Sequence, residues 1–296
     1  MSPVPRRLGL WLLAVALATS ITPAEAQRER SYRTLSSARQ VLDEQDVTVR
    51  VRFALGHFAF GPDQGGALYR TTLVYDENLF EPVQHYDRER HTLDINISDD
   101  SKKNNFNARD FGQLRDLRQR LDVAVSPVVP THVDLEFGVV RAEIDLGGMS
   151  LADADIETGA SEGLLQFSRP TLAPCKRLHV VMGAADFDAV GLGNANCAEM
   201  EFEGAAGSFT LDFTGEWQRE GTTSAKVDLG VGSLNLRFPS HLGVAVSLDR
   251  FLATFERTGF TKRGDVYYSS NYDNAAAKLR LDISAAFGDI NVEWTR

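Results

Sequence analysis

The sequence is poor in cysteine, with only two in 296 residues, Cys175 and Cys197. Neither lies near the amino terminus, so the chain lacks the residue that a bacterial lipoprotein would acylate. It also lacks a long cationic run, and its formal charge is -10, which makes nucleic acid and anionic lipid poor partners. After the first apolar stretch no other is long enough to cross a membrane as a helix, for which about 20 residues are needed. Metal-ligand spacing is missing too: His57, His85, His91, His132, His179 and His241 show no H-x-x-x-H pairing, and a scattered set reads as surface and packing histidine. Gly191-Leu192-Gly193 lacks the third glycine and the strand-helix context of a dinucleotide loop and reads as a turn. Aspartates recur within the strands at Asp134, Asp228 and Asp282, in matching slots, but without the glycine-aspartate nonapeptide of calcium solenoids. They read as a solvated outer face. None of these features implies a cofactor.

What is present begins at the amino terminus. Arg6 and Arg7 precede the apolar stretch Leu8 to Ala18, and the small-residue sequence Ala24-Glu25-Ala26 precedes Gln27. That order is a cleavable secretory signal peptide over 1–26, and its apolar stretch is too short for a permanent anchor. The expectation is an exported chain, periplasmic or extracellular, with no stable membrane insertion.

From Val133 onward one pattern returns: alternating apolar residues, a Gly/Ala-rich step, then alternating apolar residues again. It runs from Val133, Leu135, Phe137 and Gly138 into Ala142, Ile144 and Leu146, and from Ile156 and Gly159 into Leu165 and Phe167. Further copies start at Leu178, Met200 and Val227, and a last one runs from Leu281 through Gly288 to Trp294. Period-two alternation buries one face of a strand, and glycine permits backbone angles at the step that a Cβ forbids. Strand starts at 133, 156, 178, 200 and 227 are nearly evenly spaced. An even rung length points to an all-β, β-solenoid-like repeat stack; a β-sandwich of hairpins shares the alternation without needing the period.

The preceding segment is also strand-like. Val47 to Phe60 repeats the motif, and Leu73 to Tyr75 and Leu93 to Ile97 add strands, whereas Asp99 to Asn107 reads as an exposed loop. The two prolines in Ser126 to Pro130 mark a boundary, dividing the mature chain into a tether and β-rich portion over 27–130 and a repeat domain over 131–296. Arg28 to Glu44 reads as a tether or a short helix. Aromatic residues gather in the long interval before the last copy, at Phe251, Phe255, Phe260, Tyr267, Tyr268 and Tyr272. That interval is long enough for about two rungs. Its aromatics suit a cap over the open end of the stack or an exposed partner surface for protein or glycan.

Gly159-Ala160-Ser161-Glu162-Gly163 matches the serine-hydrolase nucleophile motif literally. The motif requires a helix after the turn, yet Leu164 to Phe167 reads as another strand, so no catalytic residue is assigned. The cysteines are more informative. Each lies three residues before its own strand start, Leu178 or Met200, so they occupy the same slot on adjacent rungs. Rungs stack about 4.8 Å apart, within reach of a disulfide, and export favours its formation.

The stretch Gly264 to Ala275, leading into Leu281-Asp282-Ile283 and Gly288 to Val292, resembles the toast-rack proteins, the extracytoplasmic β-rich domain shared with LiaF-like cell-envelope stress proteins. Ile156 to Ser161, Leu211 to Gly215 and Thr258 to Phe260 add to the likeness, which is clearest from Val133 to Trp294. The resemblance implies a β-solenoid that binds other envelope components, not an enzyme, and links it to envelope-stress sensing. The export signal stands where LiaF-like proteins have transmembrane helices. Together these readings give a non-catalytic binding or scaffolding module of the bacterial envelope, with an envelope protein or glycan as partner. The rival is a polysaccharide-active enzyme using one long solenoid face.

Overall fold

The computed structural model describes residues 30–97, 118–217 and 221–296, without the side chains of Arg250 and Phe251. The expected signal peptide and the polar loop at 99–107 lie outside the described residues. The strands are β1 (Tyr32–Gln40), β2 (Val47–Pro62), β3 (Ala67–Asp76), β4 (Val83–Asp87), β5 (Thr92–Ile97), β6 (Arg120–Val125), β7 (Thr131–Asp145), β8 (Leu151–Gln166), β9 (Cys175–Val190), β10 (Cys197–Asp212), β11 (Gly221–Pro239), β12 (Gly243–Phe255), β13 (Phe260–Arg263), β14 (Val266–Ser269) and β15 (Ala277–Thr295). One sheet contains them in the order β1-β3-β6-β2-β7-β8-β9-β10-β11-β15-β12-β14-β13, with β5 also pairing β2 and β4 pairing β5.

The central strands pair in parallel from β2 to β12, which excludes a sandwich of hairpins. Each is bent at its middle. A straight 16-residue strand such as β9 would span about 50 Å, whereas the connection 191–196 reaches only about 20 Å, so the strand must fold back for the next to start beside it. The burial pattern agrees: β2 buries Val49, Val51 and Phe53 before the bend and Phe58 and Phe60 after it, a change of phase. The two half-strands close a core between them, where the Phe58 ring lies 4.6 Å from that of Phe137. Each large side chain enclosed there contributes roughly 1.5–3 kcal/mol. The return turns are ordered too, as at Leu192–Asn194, a 3-10 turn entered through Gly191 at φ 73°.

Both ends of the stack depart from sequence order. At one end β5 and β6 lie outside β2 and together form the rung beyond it, pairing with its first and second halves. At the other, β15 does not follow two further rungs as the long interval suggested. It lies between β11 and β12, parallel to both, so the strand that comes later in the chain is the inner one of the two. The antiparallel pair β13 and β14 then covers β12. Arg28 to Glu44 is neither tether nor helix over its middle: β1 pairs antiparallel with β3 from Tyr32↔Asp76 to Gln40↔Ala67. None of its residues is buried, so it carries no apolar alternation to betray a strand.

Cys175 and Cys197 open β9 and β10 as register partners. They are joined by a disulfide with Cα atoms 4.1 Å apart.

Candidate functional site

At the bend of successive strands one column holds Gly138, Gly159, Gly183, Ala205, Gly230 and Ala286, as the register on either side requires. Small residues are needed because neighbouring bends nearly touch: a Cβ on Gly183 would stand 2.3 Å from the Gly159 carbonyl oxygen. The missing side chains leave an open groove of about 790 Å³ along the stack from β7 to β12 and β15.

One residue in each strand, two before the bend, forms the groove's lip: Glu136, Glu157, Val181, Glu203, Asp228, Ser284 and Asp249 are successive register partners. Five are carboxylates, repeating at the spacing of the rungs, about 4.8 Å between adjacent strands. Glu136 is 2.9 Å from Arg52, and Asp228 is 2.5 Å from Lys226. Hydrogen bonds to Asp228 and to Glu201 hold Lys226 above the ordinary lysine range. Glu157 and Asp249 have no ion pair among the described residues. Just past the bend, Val231, Phe287 and Leu252 are register partners, with exposures of 54%, 45% and 63%. An acidic lip and an exposed apolar stripe therefore border the same column of bends.

This alignment corrects the matching of the aspartates. Asp134 and Asp282 do share a column, with Asp155, His179, Glu201 and Lys226 between them and Arg50 beyond Asp134, but Asp228 belongs to the lip column beside Glu203. The likeness of Val133-Asp134-Leu135 to Val227-Asp228-Leu229 misaligns the strands by two residues. Counting back two positions from each bend glycine finds the lip: Glu136, Glu157, Val181 and Asp228 all emerge from sequence that way.

A second depression, of about 590 Å³, adjoins the lip at Glu136 and Glu157 and gathers carboxylates with arginines. Its charges largely satisfy one another: Arg50 pairs with Asp134 at 3.5 Å and His132 with Asp153 at 2.9 Å. Exposed pairs of this kind contribute about 0–1 kcal/mol each.

Ser161 lies inside β8, between Val140 and Ala185 in the parallel ladder, and not in a turn. Its hydroxyl is buried without a hydrogen-bond partner among the described residues, whereas a serine nucleophile requires an adjacent base. Of the gathered aromatics, Phe255 and Tyr267 are buried and Phe260 packs against the core. Phe260 lies 5.9 Å from Phe255 and 5.3 Å from Trp294, ring centre to ring centre. These three close the β12 end, and the buried pair offers no free face to a partner. Tyr268 and Tyr272 form an edge-on pair at 4.9 Å and are half-buried; the Phe251 side chain lies outside the described residues. No helix among the described residues is long and apolar enough to cross a membrane.

A family model described as the N-terminal domain of toast_rack, DUF2154, matches residues 23–171. The match falls largely in the half where the likeness of individual residues is faint. No curated protein matches the chain. Among solved structures, a candidate cell adhesion protein from Clostridium sporogenes is 16% identical, with 90% of this chain and 100% of that chain covered at a TM-score of 0.48. A candidate adhesin from Bacteroides fragilis is 9% identical over 90% and 98% of the two chains, with a TM-score of 0.41. For a candidate lipid binding protein from Parabacteroides distasonis the values are 12%, 90% and 97%, and 0.34.

Proposed function

Since the chain belongs to the toast-rack family, through its N-terminal domain at residues 23–171, we propose that it is an exported, non-catalytic binding or scaffolding module of the bacterial cell envelope. The observation that carries this reading is the groove. It has a row of carboxylates on its lip, an apolar stripe just past the bend, and a length set by the number of stacked strands. Such a surface suits an extended, positively charged segment of an envelope protein, whose cations meet Glu157, Glu203 and Asp228 while its apolar residues meet Val231 and Leu252. Envelope-stress sensing is the regulatory form of the same reading, with occupancy of the groove as the signal. Carboxylates and arginines do meet in the second depression, the feature that favours the polysaccharide-active alternative, but their mutual pairing leaves few of them available for proton transfer.

A photo-crosslinking residue at Glu157, on the lip, is expected to capture an envelope protein in the native host, and the same residue at Asp188, exposed on the second half of β9, is not. Charge removal at Glu157, Glu203 and Asp228 together should weaken capture about tenfold, the sum of three exposed interactions of roughly 0.5 kcal/mol. Equal capture from both positions, or turnover of an envelope polysaccharide by the purified protein, counts against the reading. Export has its own test. Mass spectrometry of protein from the native host should find an amino terminus near Gln27, and retention of Arg6 and Arg7 would refute cleavage.

A further inference from the structure

We propose that His179, Glu201 and Glu203 form a binding site for one divalent transition-metal ion of the zinc type. His179 on β9 is the register partner of Glu201 on β10, and Glu203, two residues further along, projects from the same face. One ligand atom from each lies within 4.8 Å of the others. His179 Nε2 is 3.7 Å from a Glu203 carboxylate oxygen. Tetrahedral zinc, with bonds of about 2.1 Å, holds its ligand atoms roughly 3.4 Å apart, so small side-chain rotations complete the set.

The imidazole is already oriented for this role. Its Nδ1 is 3.0 Å from Asp155 Oδ1, and an ionised carboxylate can only accept, so Nδ1 carries the hydrogen. In the neutral ring Nε2 then presents its lone pair toward Glu203. A carboxylate behind a metal-binding histidine fixes the tautomer and strengthens the ligand. Asp155 is itself placed by Arg177, 3.5 Å from its other oxygen. The His179 side chain is only 15% exposed, so the ring has little freedom to turn away. Glu201 contacts Lys226 at 3.3 Å, but Lys226 lies closer to Asp228 and retains that partner when Glu201 turns to an ion. One imidazole and two carboxylates suit a borderline cation; calcium, which takes six to eight oxygens, does not fit. Glu203 also lines the groove, so the ion would sit at its lip, although the site does not depend on any partner binding there.

The test is calorimetric titration of the EDTA-treated mature protein with zinc chloride, with cobalt(II) absorption as a second readout. One saturable ion per chain is expected. H179A and E203Q should each lose at least a hundredfold in affinity, and D155N, which leaves all three ligands in place, should lose about 10–100-fold. H132A is the control, since its pairing with Asp153 involves no third ligand. All four changes lie on the outer face, and unchanged circular dichroism verifies folding. The proposal fails if no stoichiometric ion binds, if H179A binds as tightly as the parent, or if H132A and the acidic variants weaken binding by the same small factor, the mark of diffuse attraction to a negative surface.

Discussion

Replacing Gly288 with valine should destabilise the protein by about 4 kcal/mol or more, placing it among the most damaging single changes the fold admits. Gly207, Gly232 and Gly288 are register partners on β10, β11 and β15, and their φ angles are 145°, 150° and 135°. Residues with a Cβ avoid this region. The contacts are worse than the angles. A Cβ on Gly288 would stand 1.7 Å from the Gly232 carbonyl oxygen, and one on Gly232 would stand 1.9 Å from that of Gly207. Each obstructing atom belongs to the neighbouring backbone, so it cannot yield without breaking the ladder. Gly264→Ala is the control: Gly264 has φ 63°, but nothing lies within 4 Å of an added Cβ, and only the conformational cost of about 1 kcal/mol remains. Urea unfolding measures both. A Gly288→Val protein within about 1 kcal/mol of the parent would mean that β15 does not pack on β11 as described.

The same column shows why the stack was legible in sequence and its ends were not. Alternation on either side of a glycine step is a local signal, and it located β7, β8, β9, β10, β11 and β15. Which strand pairs with which is not local. Val244, Val246 and Leu248 of β12 alternate as well as Leu279, Leu281 and Ile283 of β15, and only the three-dimensional register places β15 inside β12. β1 was missed for a different reason. With one edge unpaired among the described residues and most side chains in solvent, Tyr32 to Gln40 has no buried face to impose a period. The lip lay within reach of sequence, two residues before each bend glycine, but a match on the apolar-Asp-apolar string put Asp228 in the wrong column. His179 was beyond reach. Its companions Asp155, Glu201 and Glu203 belong to the two neighbouring strands, and no linear spacing announces that they meet.

Loss of the disulfide should cost about 3 kcal/mol, the second-largest effect expected. The bridge closes a segment of 22 residues, and chain entropy alone assigns roughly 3 kcal/mol to a loop of that size. For a chain this long that corresponds to a fall in Tm of about 5–10 °C. The staple sits where the ladder is otherwise about to end. Cys175 N–H donates to the Asn196 carbonyl at 3.1 Å, so the bond ties the start of β9 to the turn that leads into β10. Asn194 fastens that turn to the flanking rungs, donating to the Phe167 carbonyl at 2.9 Å and accepting from the Glu216 N–H at 2.7 Å. In a stack each rung is stabilised by its nearest neighbours, so weakening the β9–β10 step should divide the protein near its middle. Hydrogen exchange in a Cys175→Ala/Cys197→Ala protein is therefore expected to accelerate most at the starts of β9 and β10, and least in β2 and β7. Because both cysteines are buried, the double variant also loses packing. Reduction of the parent protein by dithiothreitol removes the crosslink alone and should reproduce most of the fall in Tm. If the reduced protein melts within about 1 °C of the oxidised one, the rungs hold their register without the bridge, and the estimate from loop closure is wrong for this fold.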